Sequence, residues 1–453
     1  MYAKNAWEKY KEKEMEQLMQ FNEEYKDYIS YGKTERACVV KSVELAEKNG
    51  FKPLEAYKEL KPNDKVYVVN KNKNIALFVI GSKPITEGMR VLGAHIDSPR
   101  LDIKQNPLYE KDGFALLDTH YYGGIKKYQW VTLPLALHGV VVKKDGTSIN
   151  VSIGENPNDP VLGINDLLVH LAQDQMQKTA AKVIEGEDLD LMVGSIPTNG
   201  DDYSVKTNIL NILKEKYDFE EEDFLSAELE VVPAGPARDY GLDRSMVMGY
   251  GHDDRVCAYT SLKATLDIEN PEYTSCCILV DKEEVGSIGA TGAQSLFFEN
   301  TVLELLTLQG QGSILDLRHA MQNTKMLSSD VSAGVDPLYP SVNEPKNSAY
   351  LGKGIVFNKF TGSRGKGGCN DANPEYIAWL RSIMDANEIN FQTAELGRVD
   401  QGGGGTIAYI LGNYNMNVID AGVPVLNMHA PWEVVSKVDV YEAYKAYKVF
   451  LTK

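Results

Sequence analysis

Apolar positions along this chain follow two periods, and the texture changes twice. Trp7, Tyr10, Met15, Leu18, Met19 and Phe21 recur near helical spacing among many Glu and Lys, so residues 1–50 read as helix. A second helical stretch at 34–48 stops at Asn49-Gly50, a favourable C-terminal signal. Short strand-like runs follow at 66–69, 75–80 and 90–94, and the last leads directly into His95. From 101 to about 240, strand-like pieces at 113–117, 133–142 and 148–153 are separated by Gly, Asp and Asn. In that block 161–177 has a helical pattern, whereas 185–202 and 220–223 are polar or acidic and read as loops. Beyond Met246 the pattern is strand then helix: 247–250 before 256–266, then 275–280 before a helix from about Ala290. Further strands are expected at 313–317 and 354–357, and a helix at 374–387; glycines 402–405 feed a helical run from Thr406.

This alternation predicts an α/β fold with a sheet flanked by helices. Its segments are 1–100 and 241–453, interrupted by a β-rich block at 101–240. In such sheets, sites form at the carboxyl ends of strands.

A length of 453 residues suits two domains, and 43% apolar content allows a sizeable core. The balance of 47 Lys and Arg against 64 Asp and Glu leaves a formal charge of −17, which argues against nucleic acid or an anionic membrane as partner. The N-terminus is charged throughout, with no signal-peptide core, and no segment has the ~20 apolar residues that span a bilayer. Five scattered cysteines fit a reduced cytoplasm better than a disulfide scaffold. Cys276 and Cys277 lie in a strand-like run and read as core.

The polar motifs cluster at or just beyond predicted strand ends. In His95-Ile96-Asp97, residues two apart share a strand face, and a metal-bound histidine usually gives its other ring N–H to a carboxylate. His95 therefore reads as ligand and Asp97 as its orienter; taken alone, an ordinary histidine is the alternative. In Gly251-His252-Asp253-Asp254-Arg255, adjacent carboxylates after an apolar strand are costly to bury without a cation. A solvated turn capping the next helix is the alternative there. Val280-Asp281-Lys282-Glu283-Glu284-Val285-Gly286 is the most informative motif, because a two-metal hydrolase needs one carboxylate on metal and another free to take a proton from water. A plain charged turn does not explain the glycines that follow. Asp330 and His429 complete a set of N and O donors that suits zinc, with cobalt or manganese possible.

In this order, His95-Ile96-Asp97-Ser98-Pro99, Asp253-Asp254, Asp281 to Ser287, Ser328-Ser329-Asp330 and Asn427-Met428-His429 resemble the aspartyl aminopeptidase and aminopeptidase I family of dinuclear zinc exopeptidases. The resemblance spans nearly the whole chain. It implies an α/β catalytic domain with a central mixed sheet, interrupted by a β-rich dimerisation domain. Two Zn2+ ions per subunit are implied, with Co2+ or Mn2+ possible: His95 on one, His429 on the other, Asp253 bridging, and Glu284 and Asp330 each completing one shell. Glu283 would be the general base, Asp97 the orienter of His95, and Asp254 a supporting group. Ile164 to Leu171 is similar to a family segment whose histidine enters a neighbour's site, so His170 is a candidate trans-acting residue; a surface histidine is the alternative. Tyr122-Gly123-Gly124 also resembles the family, without an assigned chemistry. Family members form homo-oligomers, dimers that assemble into hollow tetrahedral dodecamers, and cleave short peptides. Lys359, Arg364 and Lys366 form a basic cluster that could receive an acidic substrate side chain, whereas the glycine-rich 402–405 departs from the family's substrate loop. Acidic and neutral N-terminal residues both stay open. The rival readings are a dinuclear metal amidase or deacylase acting on small N-acyl substrates, and a non-catalytic shell; the presence of Glu283 speaks against the shell.

Overall fold

In the strand Asn74–Val79 every residue is buried, and alternate side chains enter different cores. Ile75, Leu77 and Val79 pack on one face, Ala76 and Phe78 on the other, as the two-residue period of a strand requires. Thr274–Val280 repeats the pattern, so the adjacent Cys276 and Cys277 are buried on opposite faces. A strand covered on both faces is a near-continuous apolar run, which is why these segments are conspicuous in the sequence.

The structure is a computed structural model and describes residues 4–199 and 203–453. Its contacts divide into two units. One comprises the residues up to Asp97, Ala237–Met428 and Glu433–Lys453; the other comprises Ser98–Pro236 and His429–Trp432. In the first unit a nine-stranded mixed sheet runs Lys52–Pro53, Lys65–Asn70, Asn74–Val79, Thr274–Val280, Met89–His95, Lys325–Ser328, Asn417–Gly422, Ile355–Asn358, Phe391–Thr393. Met89–His95 lies parallel between Thr274–Val280 and Lys325–Ser328, which brings three carboxyl ends to one edge. Helices Glu35–Lys48, His252–Leu266, Pro374–Ala386 and Lys437–Leu451 pack on one face, and Phe297–Leu308, Ile314–Asn323 and Ala408–Gly412 on the other. A five-stranded sheet in the same unit pairs Glu433–Ser436 with Met246–Gly249 and Pro424–Leu426. The second unit is built on a six-stranded antiparallel sheet, with the helix Val205–Tyr217.

Several expectations are corrected. Residues 313–317 are not a strand: Ser313 accepts the Asp316 N–H at 3.1 Å while Asp316 accepts the Ser313 N–H at 3.1 Å, and this reciprocal cap starts the helix Ile314–Asn323. The strand is Lys325–Ser328. The helix expected from Ala290 begins at Phe297. Residues 161–177 hold isolated bridges at Leu162 and Gly163 and the single turns Val169–Leu171 and Gln175–Gln177, not an α-helix. Val161, Leu167, Leu168, Val169, Leu171 and Met176 are exposed, and only Ile164 and Ala172 of the segment's apolar residues are fully buried, too few to support a helix by packing. The loop at 185–202 contains the strand Leu191–Gly194, and 220–223 runs into the turn Glu221–Ser226. Residues 1–3 and 200–202 of those readings lie outside the described residues. Among the described residues no helix is long and apolar enough to cross a membrane.

Candidate metal centre

His95 is the last residue of its strand, level with Val280, and is buried. Its Nδ1 lies 3.3 Å from Asp97 Oδ1 and 3.1 Å from the Asp97 carbonyl oxygen. Both are acceptors, so Nδ1–H donates and Nε2 keeps its lone pair for a metal. Nε2 is 3.2 Å from Asp253 Oδ1, 3.9 Å from Glu283 Oε2 and 4.0 Å from Asp330 Oδ1. Asp97 also accepts the backbone N–H of Glu283 at 3.1 Å and of Glu284 at 3.2 Å. One buried carboxylate therefore fixes both the histidine and the glutamate turn.

That turn, Glu283–Val285, is set between Lys282 at φ 69° and Gly286 at φ 94°. The two left-handed residues swing the chain off the strand end, so the adjacent glutamates do not continue the strand's alternation. Gly292 closes the following loop, where a Cβ would stand 2.1 Å from the Ser287 carbonyl oxygen. Asp253 and Asp254 occupy the first turn of His252–Leu266, joined by a cis peptide. Asp253 N–H donates to Glu433 at 2.9 Å, and Asp254 accepts the His95 N–H at 3.3 Å. Asp330 lies two residues past Lys325–Ser328 and is buried; its neighbour Ser329 donates to the Gly93 carbonyl at 2.6 Å.

The potential ligand atoms of His95, Asp253 and Asp330 lie within 4.8 Å of one another, as do those of His95, Glu283 and Glu284. Burial pushes Asp330 well above the carboxylate range, and the charges of Asp254, Glu283 and Asp253 push it further. Burial alone would lower His95, but hydrogen bonds to Asp253 and Asp97 and the charge of Glu283 hold it well above its ordinary value. Carboxylates crowded in this way favour a cation among them. One imidazole with several carboxylate oxygens is a donor set that zinc accepts; the residues present fit the metal.

Two residues that sequence reasoning passed over support this centre. Glu433 is buried and holds Asp253; its signal was a carboxylate inside an apolar strand run. Arg255, fully buried, donates to the carbonyls of Ile96 at 3.2 Å and Lys33 at 3.1 Å, and so pins the link between His95 and Asp97. His252 has a structural place: burial pushes it down to about 3, it accepts from Tyr25 at 2.5 Å, and it donates to the Val247 carbonyl at 3.2 Å.

His429 belongs to the second unit, in the connection between the paired strands Pro424–Leu426 and Glu433–Ser436; its Nδ1 lies 2.8 Å from the Gly124 carbonyl oxygen. His170 is exposed on the turn Val169–Leu171 of that unit. Lys359 and Lys366 both pair with Asp371, the latter at 3.0 Å, so the two lysines of the basic cluster share one counter-ion.

The model of the family described as aminopeptidase I zinc metalloprotease (M18) matches residues 28–451. A probable M18 family aminopeptidase 1 of Clostridium acetobutylicum is 62% identical over 454 residues, covering 99% of this chain and 98% of that protein. The crystal structure of aminopeptidase I from the same organism has a TM-score of 0.92 at 59% identity, and that of an M18 family aminopeptidase from Thermotoga maritima 0.96 at 44%; each comparison covers 100% of both chains. A Saccharomyces cerevisiae mApe1 dodecamer, at 20% identity and a TM-score of 0.76 over 94% of this chain and 95% of that one, shares the fold. These relatives do not favour the amidase or deacylase reading. The chain belongs to the M18 family of aminopeptidase I zinc metalloproteases, and it is a metallo-aminopeptidase.

Proposed function

We propose that the chain removes single N-terminal residues from short peptides at a centre of two zinc ions. The carrying observation is the convergence of His95, Asp253 and Asp330, with Glu283 and Glu284 reaching the same histidine. His95 and Asp330 would hold one ion, Glu284 and His429 the other, with Asp253 shared between them. Zinc, when bound, supplies Lewis acidity toward the peptide carbonyl and acidifies water. Cobalt and manganese suit the same donors.

Glu283 is the general base. It takes a proton from the attacking water and delivers it to the leaving amine. Asp97 holds the backbone of that residue and the ring of His95 through separate hydrogen bonds. The substrate's free α-amine sits against the acidic cluster, which selects exopeptidase action. The N-terminal residue removed is acidic or neutral, and the engagement of Lys359 and Lys366 by Asp371 favours a neutral one.

The second unit acts as a dimerisation domain, and the dimers build a tetrahedral dodecamer. Exposed Val169 and Leu171 (72% and 68%) support burial against a neighbouring copy, which would carry His170 toward that copy's site to hold the scissile carbonyl. Five free cysteines support work in the cytoplasm.

Initial rates on aminoacyl-nitroanilides of Asp, Glu, Leu and Lys, after chelation and zinc re-addition, test this reading. Zinc-restored cleavage should favour Leu over Asp, and Glu283→Gln should lower kcat/KM by ~10²–10⁴-fold while retaining metal. Native rates in that variant would remove Glu283 from the mechanism.

A further inference from the structure

The motif Tyr122-Gly123-Gly124 ends the strand Phe114–Tyr122, in the second unit. Tyr122 is firmly placed: it pairs with Arg100 in the sheet, and the Arg100 guanidinium lies 3.9 Å from its ring centroid. Arg100 is itself held by Asp102 at 2.7 Å and Glu230 at 3.2 Å. From this anchor the chain turns through Gly123 at φ 74°, a conformation that favours glycine. The turn brings the Gly124 carbonyl oxygen to 2.8 Å from His429 Nδ1. A carbonyl only accepts, so Nδ1–H donates and Nε2 is the ring nitrogen that carries the lone pair. His95 is arranged the same way, with Nδ1 on oxygens of Asp97.

We propose that Gly124 is the positioning residue of His429, its carbonyl fixing the ring's tautomer and direction, and that the left-handed Gly123 aims that carbonyl. The proposal rests on His429 being a metal ligand. Asp97 can serve His95 through a side chain because both sit on one stretch of chain. His429 has an orienting group, a backbone oxygen, delivered by a strand end some three hundred residues earlier.

The test uses the full-length zinc enzyme, with metal retention followed against increasing chelator, and the cobalt-substituted enzyme, with its visible spectrum. Gly123→Ala should weaken the ion held by His429 by about 10–100-fold, the usual cost of losing an outer hydrogen bond to a ligand, and should alter the cobalt spectrum. Gly113→Ala is the strain-matched control. It has φ 79°, sits at the hairpin between Arg100–Lys111 and Phe114–Tyr122, and has open space around its Cβ position. It should leave metal affinity unchanged. If Gly123→Ala fails to fold, Gly124→Val takes its place: its Cβ would lie 3.5 Å from His429 Nδ1, and the branches beyond would crowd the ring. Unaltered affinity in these variants, or an equal loss in Gly113→Ala, overturns the positioning role. Separately, His429→Ala should lose one ion; retention of both would overturn the ligand reading itself.

Discussion

Glu442 has a fully buried side chain and gathers the N- and C-terminal segments of the first unit. Lys9 lies 2.7 Å and Lys445 2.9 Å from its carboxylate, Tyr10 donates to it, and so does the Asn390 N–H at 2.8 Å. Burial opposes ionisation, but Lys445, Lys9 and Tyr10 together hold this carboxyl below the usual range. Its folded pKa is therefore below the unfolded value of about 4.3. The stabilisation is fully present above that pH and is lost as pH falls through the folded value. Glu442→Gln should cost about 3 kcal/mol at neutral pH, as for a broken buried ion pair. Urea midpoints at pH 7 and pH 3.5 check this: the gap to wild type should narrow at the lower pH, and an equal gap would contradict it. The sequence hides this network, because Tyr10 lies 432 positions from Glu442 and Asn390 lies 52. His95, Asp97, Glu283 and Glu284 were legible because residue type, spacing and a strand end coincide within a few positions. Glu433 and Arg255 were not, since their partners are fixed only by the folded sheet.

At the scale of elements, the strands buried on both faces were readable as apolar runs, while short runs of mixed pattern misled. Residues 313–317 carry three apolar side chains in five, which suits a strand or a helix equally; the Ser313–Asp316 cap decides for helix. The element that matters most is the turn carrying Glu283 and Glu284. Its return depends on Gly292, where an added Cβ would meet backbone at 2.1 Å and 2.3 Å, with no flexible side chain to yield. Gly292→Ala should cost roughly 1–3 kcal/mol of stability, as overpacking does. It should also lower kcat/KM by at least about tenfold through displacement of the glutamates. Thermal melting and nitroanilide rates measure both; an unchanged rate with an unchanged melting point would mean the turn does not need this close approach.

For the whole molecule, the α/β alternation announced the sheet, and the parallel order explains why residues near 95, 283 and 330 arrive at one edge. His252–Leu266 then adds Asp253 from the helix-covered face. The apolar stretch around His170 had helical spacing in the sequence, but Leu167, Leu168, Val169 and Leu171 are exposed in this chain. The proposed contact with a neighbouring copy would bury these residues, and the pattern of one chain does not contain that surface. The central claim is a paired metal centre that shares Asp253. Zinc bound per chain, measured by mass spectrometry after dialysis alongside Leu-nitroanilide turnover, tests it most directly. The account predicts about two zinc ions per wild-type chain, with both weakened and turnover lost in Asp253→Asn. Full turnover with a single ion per chain, or an Asp253→Asn variant that keeps both ions and its activity, would contradict it.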